Sequence, residues 1–142
     1  MANEPVVTLV DSNVLLDIAT DDQTWASWSA DALARACDRG VICVNPIVYA
    51  EVSVRFNRVE DLDSFIPEAT FRREKLPYAA GFVAGKAFVS YRARGGARRM
   101  PLPDFYIGAH AAVSHYRLLT RDANRYRTYF PTVDLHAPDG NP

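Results

Sequence analysis

The run Val6-Val7-Thr8-Leu9-Val10 has no polar alternation, so the sequence predicts a strand covered on both faces. Asp11-Ser12-Asn13 follows, a cluster of cap-forming residues, and then the short helical pattern Val14–Ile18. A longer helix is expected over Thr24–Arg39. There Trp25, Trp28, Ala32, Leu33 and Ala36 share one face, and Gly40 stops the helix. Val41–Val44 reads as a second buried strand. Asn45-Pro46 then opens a helix through about Asn57, with proline at an early position where it is tolerated. Further helices are expected over Val59–Ala69 and Tyr78–Tyr91, the latter followed by a loop over 92–103 with four arginines, Arg92, Arg94, Arg98 and Arg99. Asp104 opens a helix that is apolar nearly all round (Phe105, Tyr106, Ile107, Gly108, Ala109), the pattern of a helix in the middle of a domain. Leu118–Thr120 and Val133–Leu135 read as the remaining strands. Strands alternating with helices predict an α/β fold with a mostly parallel sheet.

The 142 residues suffice for one domain, with a core over about 6–136 and a loose tail over 137–142. No apolar stretch approaches the roughly 20 residues of a membrane span, and the start Met1-Ala2-Asn3-Glu4-Pro5 lacks the basic region of a signal peptide. Cys37 and Cys43 have no CxxC or Cys/His context, so free thiols in a cytoplasmic protein are expected. The net charge of −1 argues against a generic polyanion binder, but it hides a division. Residues 1–71 carry 4 basic and 12 acidic side chains, whereas residues 72–142 carry 12 basic and 5 acidic ones. Such polarity points to nucleic acid or a charged partner.

In open α/β sheets ligands bind beyond the carboxyl ends of strands. Asp11 follows the first strand and Thr120-Arg121-Asp122 the third. Glu51 lies in the apolar segment 47–54, and Asp104 heads the apolar helix. Taken singly, each acid has a plain structural role: Asp11 or Asp104 as a helix N-cap, Glu51 paired with Arg55, Asp122 in a turn. Taken together, four such carboxylates would repel one another unless a cation neutralised them. Oxygen-only ligands select Mg²⁺, with Mn²⁺ a possible substitute, and such a site suits metal-assisted phosphodiester hydrolysis.

The segments Leu9–Asp17, Tyr49–Val52, Leu102–Ala111 and Leu118–Asp122 resemble the four acidic motifs of PIN-domain ribonucleases, and more narrowly those of VapC toxins of toxin–antitoxin pairs. The resemblance runs from about Val7 to Leu135 and includes Gly85–Gly96 and Arg125–Pro131. It implies a three-layer α/β/α PIN-like domain. Asp11 and Asp104 would be the main metal ligands, Glu51 and Asp122 the other catalytic acids, and Asn13 and Thr120 the supports of the site. It implies a Mg²⁺-dependent endoribonuclease that leaves a 5′-phosphate, restrained by a VapB-type antitoxin, and a homodimer. The 92–99 arginines, including Arg98 and Arg99, and likewise Arg121, would contact RNA or the antitoxin; the alternative is a solvated basic loop.

Two other classes stand beside this one. A phospho-acceptor domain also sets acids around Mg²⁺ at strand ends, but it needs a lysine at a later strand end, and no lysine follows Lys86. A non-catalytic RNA- or protein-binding module on the same fold would show no affinity for Mg²⁺ or Mn²⁺. The three histidines show no pairing that suits general acid–base catalysis, and Trp25 and Trp28 read as core or interface anchors.

Overall fold

The computed structural model describes residues 5–100 and 102–138. Its elements run β1 (Val6–Val10), α1 (Ser12–Ala19), α2 (Ala26–Arg39), β2 (Gly40–Val44), α3 (Pro46–Ser53), α4 (Val59–Phe65), β3 (Phe71–Arg73), α5 (Tyr78–Ala93), α6 (Pro103–Ser114), β4 (Arg117–Leu119), α7 (Asn124–Tyr129) and β5 (Leu135–His136). All five strands are parallel, in the order β3-β2-β1-β4-β5. From β1 the chain winds outward to β2 and β3, then returns to β4 and winds the other way to β5. The direction therefore reverses between β1 and β4, where α/β sheets open a crevice for ligands. Helix α2 packs on β1, β2 and β4, and α6 packs on β4 with α5 and α7 against it, giving the expected three-layer α/β/α arrangement.

The strands are most buried toward their carboxyl ends: Leu9 and Val10 in β1, Cys43 and Val44 in β2, Leu118 and Leu119 in β4. The first polar residue after each strand thus emerges inside the protein, so Asp11, Asn45 and Thr120 are all buried. Asn45 caps α3 by accepting from the Val48 N–H at 2.9 Å. Its amide reaches Nδ1 of the buried His110 at 3.0 Å, tying α3 to α6. Burial holds His110 neutral by lowering its pKa.

Several boundaries differ from the sequence expectation. Helix α3 ends at Ser53 rather than Asn57: the chain tightens through Arg55 N–H to Val52 O and Phe56 N–H to Ser53 O, and Phe56 folds back on Phe65, with ring centroids 5.4 Å apart. Helix α4 stops at Phe65 because Pro67 disfavours helical geometry at Ile66. Helix α2 begins at Ala26, preceded by a turn in which Asp22 accepts from the Thr24 and Trp25 N–H groups. Helix α6 begins at Pro103, β4 spans Arg117–Leu119 and β5 lies at Leu135–His136. Strand β3 and helix α7 are additional. Only Phe71 of β3 is buried, so that edge strand has no apolar pattern to betray it. Residues 139–142 of the expected loose tail lie outside the described residues.

Gly40 begins β2 rather than only ending α2. Its extended backbone suits any residue, but a Cβ there would collide with the Val6 carbonyl and lie 2.7 Å from the Val6 nitrogen. Gly40→Ala is therefore expected to destabilise the fold by about 1–3 kcal/mol through strain at the β1–β2 pairing. An unchanged melting temperature would refute that assignment.

Candidate functional site

Asp11 belongs at once to the end of β1, the start of α1 and the β4 edge. Its N–H donates to Leu119 O at 2.8 Å, extending the β1–β4 ladder, and its carboxylate caps α1 by accepting from the Ser12 N–H at 2.7 Å. Asp11 Oδ2 accepts from the Tyr126 hydroxyl at 2.8 Å and the Thr120 hydroxyl at 2.9 Å. The Thr120 oxygen in turn accepts from Asn13 Nδ2 at 3.2 Å and the Asp122 N–H at 3.1 Å. Asn13 Oδ1 accepts from the Arg121 N–H at 3.2 Å. Thr120 thus links the turn after β4 to the turn after β1.

Glu51 comes from α3. Its Oε1 accepts from the Ser12 hydroxyl at 2.7 Å, and that hydroxyl also lies 3.4 Å from Asp11 Oδ1. The i+4 pairing with Arg55 does not form; Ser12 is the partner instead. Asp104 lies in the first turn of α6 and is not its N-cap, which is Leu102. Its Oδ2 accepts from Arg125 at 3.0 Å, while its Oδ1 is buried without a partner. Asp122 is exposed, and its backbone rather than its carboxylate is fixed.

These residues line one cavity of about 350 Å³: Asp11, Glu51, Asp104 and Asp122 with Ser12, Asn13, Arg98, Leu102, Pro103, Arg125 and Tyr126. Arg98 arrives on the α5–α6 loop, whose carbonyl at Arg98 accepts from the Arg92 guanidinium at 2.6 Å. Arg99 is exposed and does not line the cavity. Arg121 turns away: its guanidinium donates to buried Asp17 at 2.7 Å and covers the Trp25 ring at 5.6 Å. Trp28 meets Trp25 and His136 edge-on, so both tryptophans serve packing within the chain.

Burial pushes the Asp11 carboxyl up to about 6, against its three strongest hydrogen bonds and with help from the nearby Glu51 charge. Burial raises Asp104 too, although Arg125 opposes it. Tyr126 is raised well above its ordinary value, by burial and by the Asp11 charge. The cavity offers only oxygen donors among its acids, amide and hydroxyls, which is the chemistry that suits a hard divalent cation. An unpartnered buried carboxylate oxygen on Asp104 and a strained charge on Asp11 are what such an ion would relieve. Among the described residues, no three His, Cys, Asp or Glu side chains are gathered closely enough to enclose an ion as they stand. Arg125 supplies the positive charge at Asp104 instead.

Ser12, Arg125 and Tyr126 were not legible as site residues. Tyr126 and Arg125 lie in a short helix that has no strong apolar period, and their approach depends on packing. Phe130 and Tyr126 are buried, and Phe130 lies against Gly108 of α6 so closely that a Cβ there would come within 2.5 Å of the ring. That contact seats α7 beside the cavity.

The molecule is a parallel α/β domain with an acid-lined cavity at its chain-reversal point, and the PIN domain family model matches residues 8–131. The chain belongs to the PIN domain family. Among solved structures it is similar to the VapBC2 complex of Rickettsia felis bound to a promoter DNA fragment, with TM-score 0.70 and 15% identity over 93% of this chain and 98% of that one. The VapBC-1 structure of nontypeable Haemophilus influenzae gives TM-score 0.70 and 13% identity over 93% and 98%. A toxin–antitoxin complex from Klebsiella pneumoniae gives TM-score 0.62 and 19% identity over 84% and 89%. At these identities the likeness is one of fold. No curated protein matches the sequence.

The Asp11 shift has a stability consequence. Its carboxyl holds a proton more tightly folded, at about 6, than at its ordinary value of 3.8. The contribution is therefore full below about pH 4 and is lost as the pH rises through 6, a change of about 3 kcal/mol. Asp11→Asn should melt near wild type at pH 4 and above wild type at pH 7.5 in chelator. A melting difference that stays constant between those pH values would contradict the shift.

Proposed function

We propose that this chain is a Mg²⁺-dependent endoribonuclease of the VapC type, the toxin of a toxin–antitoxin pair. The observation that carries the reading is the single cavity lined by Asp11, Glu51, Asp104 and Asp122, with an unpartnered buried oxygen on Asp104. Asp11 and Asp104 would hold the cation, with Glu51 and Asp122 as further acids. When bound, such an ion polarises the phosphate, lowers the pKa of a water and neutralises charge on the leaving oxygen. The chain's own residues prepare for this. Tyr126 and Thr120 fix the direction of the Asp11 carboxylate, Ser12 orients Glu51, and Asn13 holds the Thr120 turn in place. Arg98 and Arg125 bring positive charge to an acid-lined cavity and suit RNA phosphates or an antitoxin's carboxylates.

Purified wild-type protein is expected to cleave total RNA with Mg²⁺ or Mn²⁺ and to stop in chelator. Asp104→Asn should lose at least about a hundredfold in rate with native far-UV circular dichroism. Cleavage by Asp104→Asn at the wild-type rate would remove Asp104 from the ligand set. The non-catalytic binding module remains the second reading. The Arg125–Asp104 pair favours it, since that pair neutralises one acid without a metal. Calorimetry separates the two, and absence of Mg²⁺ and Mn²⁺ affinity would favour the module.

The antitoxin reading draws on the fold neighbours, which are VapBC complexes. No helix among the described residues is long and apolar enough to cross a membrane. For the homodimer, the open face of α5 offers apolar surface: Tyr78 is 99% exposed, Phe82 69% and Val89 62%, and a Cβ on Gly81 or Gly85 would meet nothing within 4 Å. A second copy would bury that face. Phe82→Glu should then shift the chain to monomer in sedimentation without lowering its melting temperature, whereas an unchanged dimer would place the interface elsewhere.

A further inference from the structure

Arg121 stands between two residues of the site, Thr120 and Asp122, yet its own side chain points elsewhere. It is gripped at two points by one face of α1. Its N–H donates to Asn13 Oδ1 at 3.2 Å, and its guanidinium Nε donates to Asp17 Oδ2 at 2.7 Å. Asn13 and Asp17 are four residues apart, so they lie one above the other on the helix. The same Asp17 oxygen accepts from the buried Ser29 hydroxyl of α2 at 2.9 Å, and the guanidinium covers the Trp25 ring. The Asp17 side chain is 4% exposed and that of Arg121 31%.

Desolvation of two charges offsets most of their attraction, so stability alone is a weak reason for this pair. Geometry is a stronger one. A single bond would leave the turn after β4 free to pivot. Two bonds, one at the backbone and one along the side chain, fix both its place and its direction. That turn carries Thr120 and Asp122. The Thr120 hydroxyl donates to Asp11 Oδ2 at 2.9 Å and accepts from the Asp122 N–H at 3.1 Å, and Asp122 lines the acid cavity. Asp11 is also the N-cap of α1, so the helix that holds Arg121 is the helix that Asp11 begins. The contacts close a ring from Asp11 down α1 to Asp17, across to Arg121, and through Thr120 back to Asp11.

We propose that Arg121 is a positioning residue for the cation site: anchored on α1 through Asn13 and Asp17, it sets the 120–122 turn so that the Thr120 hydroxyl and the Asp122 carboxylate take their places beside Asp11. It touches neither cation nor substrate, which is a task other than contact with RNA. The inference rests on the nuclease reading given above.

The test uses the full chain with Mn²⁺ alone as the probe, read by calorimetry, together with amide hydrogen exchange in the metal-free protein. The double variant Asp17→Asn with Arg121→Met removes both charges, leaves no buried charge unpaired and keeps a thioether over Trp25. Its melting temperature should stay close to that of wild type. Its Mn²⁺ affinity should fall about tenfold, and the Arg121 and Asp122 amides should exchange faster. On a defined RNA its kcat should fall while KM stays within about twofold. Ser29→Ala is the contrast. It takes a buried donor from Asp17 without touching the turn, so it should lower the melting temperature yet leave Mn²⁺ affinity within about twofold of wild type. If affinity follows the melting temperature across these variants, the pair is only structural and the inference is wrong. If the double variant binds Mn²⁺ as wild type does but raises KM, Arg121 is an RNA contact and the inference is wrong. Should the double variant fail to fold, Arg121→Lys decides. A lysine Nζ lies one atom farther along the side chain than Nε, so it keeps the charge but displaces the turn, and Mn²⁺ affinity should fall at least about threefold; wild-type affinity there would overturn the inference. If wild type takes up neither Mn²⁺ nor Mg²⁺, the nuclease reading falls and this inference with it.

Discussion

The site depends on a carboxylate held where water is scarce. Asp11 leaves β1 at its most buried end, and only 5% of the residue is exposed. Removing a carboxylate from water costs several kcal/mol, so the charge persists only if its surroundings answer it. They do so from three directions: the Ser12 N–H at the head of α1, the Thr120 hydroxyl after β4 and the Tyr126 hydroxyl of α7. The answer is incomplete, as the upward shift of Asp11 shows. An incompletely answered charge is one that a bound cation would stabilise, which is the physical basis of the proposed metal site.

Much of the molecule can be read as what brings those donors to Asp11. The parallel pairing of β1 with β4 aligns Val10 with Leu119, so the residues after each strand meet above the sheet. The Asn45–His110 bond ties the helix carrying Glu51 to the helix carrying Asp104. The missing side chain at Gly108 lets Phe130 close in, and with it comes α7 bearing Arg125 and Tyr126. Each contact lies away from the cavity, yet loosening any of them would move a group that faces it.

The charge division along the chain takes on meaning here. Asp11 and Glu51 come from the acidic half, Asp104 and Asp122 from the basic half, and the arginines that approach the cavity all come from the basic half. The near-neutral total therefore conceals a cluster of acids beside a positive rim. Arg121 shows the limit of reading charge from sequence alone. It lies within one of the acidic motifs, between Thr120 and Asp122, yet its guanidinium pairs with Asp17.

Local chemistry was enough to reveal the strands β1, β2 and β4, the long helices and the four acids, because unbroken apolar runs, strand-end position and polar residues in apolar settings are all properties of neighbouring residues. Residues 71–73 and 124–129 were hidden for the converse reason. One is an edge strand with a single buried side chain, and the other is a six-residue helix held by packing rather than by its own pattern. The same division runs through the site. Sequence alone determined which side chains carry its negative charge. Tertiary structure decided most of what answers that charge, because Thr120 and Tyr126 reach Asp11, Arg125 reaches Asp104 and the Ser12 hydroxyl reaches Glu51 only once elements distant in sequence have packed around the end of β1.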